Sequence, residues 1–71
     1  DSKTKLQEYS LKKYKKLPVY KVINFTGPKH NPTYSVSVFI IGSKKYIGSG
    51  NSKQQAEQDA ALNLIKGVSV K

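Results

Sequence analysis

The chain has 71 residues, which is enough for one small domain and leaves no room for a second. It contains no cysteine, so neither a disulfide framework nor a thiolate metal site can stabilise it. Thirteen basic residues oppose four acidic ones, giving a formal net charge of +9, and every basic residue is lysine. A charge of this size on so small a chain indicates a polyanionic partner, with nucleic acid ahead of an anionic membrane.

The ends of the sequence and its hydropathy give two further expectations. No stretch approaches the roughly 20 apolar residues of a membrane span, and no signal-peptide pattern is present at the start. The chain begins at Asp1 and has no methionine, so we expect residues 1–71 to be one domain of a longer protein.

Residues 1 to about 15 are predicted to form a first helix, capped by Asp1 or Ser2 and stopped by Pro18. Helical spacing assigns Leu6, Tyr9, Ser10 and Tyr14 to its inward face, and Thr4, Gln7, Glu8 and Leu11 to its outward face. A basic run ends this helix, at Lys12, Lys13, Lys15 and Lys16. The run is compatible with a solvated helix end matched to the dipole, or with direct phosphate contact.

Three strands are predicted next, over residues 19–26, 33–40 and 44–49. A loop at 27–32 separates the first two, and a tight turn at Gly42 and Ser43 separates the last two. The inward-facing residues of the strands would be Tyr20, Val22, Tyr34, Val36, Val38 and Ile40. A second apolar set would face away from the helices and could contact a partner: Ile23, Phe25, Phe39 and Ile41.

The stretch 48–67 predicts a second helix, with Ser52 as N-cap, Gln55 as its reciprocal capping partner and Gly67 as a left-handed C-cap. Its apolar stripe comprises Ala56, Ala60, Ala61, Leu64 and Ile65, so the partner element must come close to the helix backbone. The element order predicts an α+β fold, αβββα, in which both helices cover one face of an antiparallel sheet.

Catalysis is not expected from these residues. The four carboxylates, Asp1, Glu8, Glu57 and Asp59, form no pair suited to acid–base or two-metal chemistry, and His30 is the only histidine. Neither a catalytic nor a metal site is therefore predicted.

Three polar pieces remain that the predicted fold can bring to one side of the domain. They are the first-helix residues Thr4, Gln7 and Glu8, the loop residues Pro28, Lys29 and His30, and the second-helix start at Ser52, Lys53 and Gln54. Two short polar groups with a basic centre match the outline of an A-form duplex, whose minor grooves are wide, shallow and lined with 2′-hydroxyls. A helix start with free amides and a lysine suits the phosphates between the grooves.

Over nearly its whole length the chain resembles a double-stranded RNA-binding domain. The motifs that carry the resemblance are LQEY (6–9), LPVYKV (17–22), GPKH (27–30), YSVSV (34–38), GSG (48–50) and SKQQAEQDAA (52–61). LQEY, the LP-V-Y entry to the first strand and AEQ in the last helix are most similar to the C-terminal domain of bacterial-type ribonuclease III.

The resemblance implies that the first-helix residues enter one minor groove, the loop residues enter the next, and the second-helix start holds the phosphates between them. It also implies a cytoplasmic ribonuclease III parent, an endonuclease that cleaves double-stranded RNA with Mg²⁺ in a separate catalytic domain. This domain would need no cofactor and be monomeric, within a homodimeric parent. The alternatives are a non-catalytic double-stranded RNA-binding protein, or a protein-interaction domain that uses Ile23, Phe25 and Phe39.

Two departures from the family pattern predict weaker binding by this domain alone. Asn51 and Gln54 stand at positions where lysine is common, which leaves Lys53 as the main charge of the phosphate site. Leu11 stands one turn past Gln7, where ribonuclease III domains often carry a polar contact.

Overall fold

The computed structural model describes residues 1–69. In chain order its elements are α1 (Ser2–Tyr14), β1 (Val19–Thr26), β2 (Thr33–Phe39), β3 (Tyr46–Gly50) and α2 (Lys53–Ser69). The strands form one antiparallel sheet in the order β1-β2-β3. Helix α2 packs on β2 and β3, and α1 packs on α2. The predicted αβββα fold is therefore confirmed.

Both ends of α1 are closed by local hydrogen bonds. Asp1 is the N-cap, and its Oδ1 accepts from the Thr4 amide at 2.9 Å. At the other end Lys15 adopts a left-handed conformation with φ 61°, and its amide donates to the Leu11 carbonyl. The helix therefore ends at Tyr14, ahead of Pro18. The buried Ser10 hydroxyl donates to the Lys16 carbonyl, which holds the departing chain against the helix.

The core lies between the sheet and the two helices. Eight apolar side chains are fully buried there: Leu6, Val36, Val38, Ile40, Ala56, Ala60, Ala61 and Leu64. The set contains the predicted α2 stripe except Ile65, which is half-buried at the margin of the core. Burial of these side chains is the main favourable term in the stability of so small a domain.

Helix α2 approaches β3 so closely that two strand positions accept only glycine. A Cβ added at Gly48 would lie 2.1 Å from the Ala60 amide nitrogen, and one at Gly50 would lie 2.7 Å from the Gln55 Cβ. The expectation that the alanine stripe requires a close-packed partner is thus confirmed. This contact fixes the start of α2 against the sheet.

A β-bulge in β1 corrects one prediction about the sheet faces. Val22 pairs with Val36, but Asn24 pairs with Ser35, so Ile23 is an extra residue in the ladder. The bulge brings Phe25 opposite Tyr34, on the helix-covered face, with ring centroids 4.9 Å apart. The prediction that Phe25 faces away from the helices is therefore wrong.

Val22 was predicted in the core, yet 42% of its surface is exposed. The reason is that β1 is an edge strand, and α2 packs on β2 and β3 instead.

The predicted C-cap at Gly67 is also wrong. Helix α2 continues through Gly67 to Ser69, and positive φ among the described glycines occurs at Gly27 and Gly42. A Cβ at Gly67 would lie 2.3 Å from the Tyr46 hydroxyl oxygen. The glycine therefore makes room for a tyrosine ring and does not end the helix.

Candidate nucleic-acid interface

The start of α2 leaves backbone amides unbonded. Ser52 Oγ accepts from the Gln55 amide at 3.1 Å, as an N-cap should. Gln55 Oε1 accepts from the Asn51 amide at 3.1 Å, one residue earlier than the predicted reciprocal bond to Ser52. Within residues 1–69 the amides of Lys53 and Gln54 have no acceptor, and both side chains are exposed. Open amides at the positive end of the helix dipole form a site suited to phosphate.

The β1–β2 loop is a compact turn that projects polar side chains into solvent. Gly27 begins it at φ 93°, and the Asn31 amide donates to the Pro28 carbonyl at 3.0 Å. Pro28, Lys29 and His30 are all exposed. The loop therefore presents the predicted residues at one end of the sheet.

Asn51 ties this loop to the start of α2. Its Nδ2 donates to Asn31 Oδ1 at 3.1 Å and to the Pro32 carbonyl at 3.0 Å. In the sequence Asn51 is notable only for standing where lysine is common in the family, and no pattern signals its bridging role. It sets the position of the loop relative to Lys53.

The first turn of α1 is tied to the second turn of α2 through Lys3. The Lys3 amide donates to Gln58 Oε1 at 3.1 Å, and Lys3 Nζ forms an ion pair with Glu57 Oε1 at 2.6 Å. These contacts fix the start of α1 beside α2 and leave the predicted RNA-facing residues exposed, namely Thr4, Gln7 and Glu8.

The two flanking pieces are thus both held close to the third, which is the start of α2 itself. The loop is bonded to Asn51, just before α2, and α1 is bonded to the second turn of α2. Glu57 and Gln58 lie four and five residues beyond Lys53, about 6–8 Å along the helix axis. Among the described residues, no hydrogen bond joins the α1 face directly to the loop. The segment 51–58, which contains the start of α2, therefore positions both flanking pieces, and the roles of the individual side chains toward RNA stay predictions.

Most of the carboxylates already have structural roles. Asp1 caps α1, Glu57 pairs with Lys3, and Asp59 Oδ2 accepts from the Ser49 amide at 2.9 Å. Within residues 1–69 no three metal-ligating side chains gather into a cluster. Neither helix in this part of the chain has the length and apolar character needed to cross a bilayer.

A half-buried tyrosine, Tyr20, lies beside the Lys3–Glu57 pair. The Tyr20 hydroxyl is buried and has no hydrogen-bond partner among the described residues, and Lys3 Nζ lies 5.1 Å from the ring centroid. Burial, and secondarily the Glu57 charge, raises the pKa of Tyr20 to about 12. The hydroxyl is therefore neutral over the physiological range.

Comparison with known families decides the assignment. The family model described as "Double-stranded RNA binding motif" matches residues 2–67. The chain belongs to this family. Double-stranded RNA is accordingly the partner of this double-stranded RNA-binding domain, as its sequence motifs indicated.

The curated relatives support the narrower resemblance as well. Ribonuclease 3 of Pelagibacter ubique is 54% identical over 68 residues, covering 96% of this chain and 31% of the relative. Ribonuclease 3 of Glaesserella parasuis is 44% identical over 72 residues, covering all of this chain and 32% of the relative. The similarity to a domain of ribonuclease III is therefore confirmed, and the chain spans about a third of the length of these relatives.

Solved structures share the fold. One is "Structure of Arabidopsis HYL1 and its molecular implications for miRNA processing", at a TM-score of 0.77 and 32% identity, covering 96% of each chain. A second is the solution structure of DRB4 dsRBD2, at a TM-score of 0.68 and 30% identity, covering 100% of this chain and 99% of the other. Both matches extend over nearly the whole αβββα domain.

Proposed function

We propose that this domain recognises duplex RNA by its shape, and that it docks the substrate of a ribonuclease III-type endonuclease. The observation that carries the proposal is the attachment of two exposed polar pieces, the first turns of α1 and the β1–β2 loop, to the segment that begins α2, in a chain of the double-stranded RNA binding motif family. In this arrangement the phosphates lie at the open amides of Lys53 and Gln54.

The flanking pieces supply the selectivity for RNA. Thr4, Gln7 and Glu8 reach 2′-hydroxyls and base edges in one minor groove, and Pro28, Lys29 and His30 enter the next groove. These groups recognise A-form geometry and the 2′-hydroxyl, so they discriminate RNA from DNA without reading sequence. Ser52, Lys53 and Gln54 hold the backbone between the two grooves.

Lys53→Ala tests the phosphate contact. We expect it to weaken duplex RNA binding for every sequence, and to lower the slope of log K against log salt by roughly one unit. The matched control is Lys21→Ala, which removes the same charge from β1, where Lys21 pairs with Ser37 on the face away from the helices. Equal effects of the two substitutions on affinity and slope would contradict the assignment of Lys53.

The shape proposal is tested by titrating the domain with duplex RNA, duplex DNA and single-stranded RNA of one length, at one salt concentration. Duplex RNA should bind most tightly, because only it offers both the groove spacing and the 2′-hydroxyls. His30→Ala should reduce this preference with a smaller loss of affinity than Lys53→Ala. Equal affinity for the three nucleic acids would contradict shape recognition, because it would mean that the domain binds through its lysine charge alone.

The parent protein's activity is part of the proposal and rests on the relatives named Ribonuclease 3. In the intact protein, Mg²⁺ and the catalytic acids belong to a separate domain, the parent works in the cytoplasm as a homodimer, and this domain itself is monomeric and needs no cofactor. The similarity to HYL1 favours a non-catalytic parent as the second candidate. Mg²⁺-dependent cleavage of duplex RNA by the full-length protein separates the two.

A further inference from the structure

Most of the lysines lie away from the interface described above. The β1–β2 loop and the start of α2 occupy one end of the sheet, where Thr26 pairs with Thr33 and Tyr34 with Gly50. At the other end Val19 pairs with Phe39, and the β2–β3 turn follows. The two ends of β2 are about 20 Å apart, from six steps of about 3.3 Å.

Three elements bring lysines to this second end. The run at the end of α1 is joined to Val19 by only two residues, Leu17 and Pro18. Lys44 and Lys45 immediately precede Tyr46, which pairs with Val38. Helix α2 runs about 20 Å from Lys53 to Lys66, and its next residue, Gly67, meets the Tyr46 ring. We call these residues the lysine end: Lys12, Lys13, Lys15, Lys16, Lys44, Lys45 and Lys66.

The lysine end is a free cationic surface. All seven lysines are exposed, and they are more than half of the thirteen in the chain. Among residues 1–69 the single ion pair is Lys3–Glu57, so none of the seven is neutralised by a carboxylate in the described part. The C-terminal ends of α1 and α2 lie at this end of the domain, and their negative dipole ends offset part of the repulsion among the lysines. These dipole ends carry only partial charges, so the surface stays cationic.

Aromatic rings orient two of these ammonium groups. Lys13 Nζ lies 5.7 Å from the ring centroids of both Tyr9 and Tyr14, and Lys45 Nζ lies 5.9 Å from that of Phe39. Cation–π contacts of this kind reduce the mobility of a long side chain while leaving its charge in solvent. Part of the charge is therefore held in place before any ligand arrives.

We propose that the lysine end is a second nucleic-acid-binding surface, which contacts the phosphate backbone of a segment other than the one at the interface around Lys53. A duplex carries one negative charge per about 1.7 Å of its axis, and seven exposed lysines that form no ion pair within residues 1–69 are complementary to such a line of charge. The seven residues that define the surface are all lysines, whose ammonium groups bind as point charges, so the surface binds RNA and DNA alike.

The first test maps binding by NMR. A 12-base-pair DNA duplex is added to the ¹⁵N-labelled domain at low salt, and a matching RNA duplex is added to a second sample. We expect DNA to shift the amides of residues 12–16 and 44–45, and RNA to shift those of 28–30 and 53–54 first. Absence of DNA-induced shifts at the lysine end would overturn the proposal.

The second test uses two pairs of substitutions that remove equal charge. Lys16→Gln with Lys45→Gln removes two of the seven charges of the lysine end, and Lys5→Gln with Lys21→Gln removes two exposed lysine charges elsewhere. The first pair should weaken DNA binding at least about tenfold at low salt and reduce the salt slope by about two units. Equal losses for both pairs would mean that net charge alone attracts DNA, which overturns a defined surface.

The third test asks whether two segments bind at once. Donor-labelled RNA duplex and acceptor-labelled DNA duplex should show energy transfer when the wild-type domain is added, and lose it with Lys16→Gln/Lys45→Gln. The effect of Lys53→Ala on RNA affinity is measured separately. If the double variant loses energy transfer but still binds RNA, the lysine end is the surface that holds the DNA. If DNA shifts the amide resonances of residues 12–16 but the domain binds duplex RNA no more tightly than duplex DNA, only the interface around Lys53 is contradicted.

Discussion

At the scale of single residues, two polar residues make long-range contacts that their residue types did not predict. Asn51 bridges the loop and α2, and Lys3 bridges the two helices. Neither role could be predicted, because each depends on partners 19 to 55 residues away in the sequence. In contrast the N-cap roles of Asp1 and Ser52 were predictable, since the acceptor and the amide that it satisfies lie three residues apart.

Replacing Asn51 by alanine should loosen the loop. The substitution removes two hydrogen bonds that fix residues 31 and 32 to the start of α2, and leaves the core untouched. We expect duplex RNA affinity to fall about threefold or more, since a net contribution of about 0.5–1.5 kcal/mol is usual for one hydrogen bond. ¹⁵N relaxation should show faster motion at residues 28–30. Asn31→Ala, which removes only one of the bonds, should have a smaller effect, and unchanged loop motion in Asn51→Ala would contradict this role.

Tyr20→Phe should leave the domain as stable as the wild type or stabilise it by about 1 kcal/mol, because the hydroxyl is buried without a partner. The pKa of Tyr20 is raised in the folded state, so ionisation of the unfolded chain destabilises the native protein as pH rises from about 10 to about 12. The phenylalanine variant has no hydroxyl to ionise at this position, so it should gain stability relative to the wild type above pH 10. Urea unfolding at pH 7 and pH 11 measures both differences. A stability gap that stays constant between the two pH values would be inconsistent with the raised pKa.

At the scale of elements, alternation and capping were enough to predict the order and type of all five elements. The face of Phe25 in β1 was mispredicted, because a bulge at Ile23 changes the alternation and a single extra residue leaves no clear mark in the sequence. Asn24 Oδ1 accepts from the Phe25 amide at 2.9 Å, a local bond made at the bulge itself. Gly67 was mispredicted because a glycine that accommodates a neighbouring ring looks the same in sequence as one that ends a helix.

Gly48→Ala should disrupt the contact between β3 and α2. The added Cβ would lie 2.1 Å from a backbone nitrogen, and backbone cannot move aside as the end of a side chain can. We expect a loss of about 3 kcal/mol or more, enough to unfold much of a small domain. Ser49→Ala is the matched control, since the Ser49 side chain is exposed, and it should change stability little. Chemical denaturation with circular dichroism measures both variants. A Gly48→Ala protein of wild-type stability would mean that α2 can move away from the sheet.

At the scale of the whole molecule, the distribution of charge matters more than its total. The molecule is elongated, with extents of 39 × 19 × 18 Å, and the lysine end and the interface around Lys53 lie at opposite ends of the sheet. The net charge was evident from composition, and a polyanionic partner followed from it. The separation of the two ends could not be predicted, because it requires the register of the sheet and the direction of α2.

Salt should stabilise this domain against heating. Seven neighbouring lysines repel one another in the native state, and mobile ions screen that repulsion, with a Debye length of about 10 Å at 0.1 M and about 3 Å at 1 M. We expect Tm to rise by about 4 °C or more between 50 mM and 500 mM NaCl, as follows from a relief of about 1 kcal/mol. Lys16→Gln/Lys45→Gln should reduce this rise, and Lys5→Gln/Lys21→Gln should reduce it less. A fall in Tm with salt would show that attraction outweighs repulsion in the native charge distribution.

Helix α2 is the last of the five elements along the chain, and this order has a consequence for synthesis. The ribosome makes α1 and the loop first, and domains form as their chain emerges at about 5–20 residues per second. Asn51, Glu57 and Gln58, which hold the earlier pieces in place, emerge after those pieces, and Glu57 and Gln58 emerge last among the groups that build the interface. A nascent chain that stops before residue 58 therefore exposes its lysines before it has any geometry to select a duplex. Until α2 is complete, the growing chain can attract RNA by charge alone.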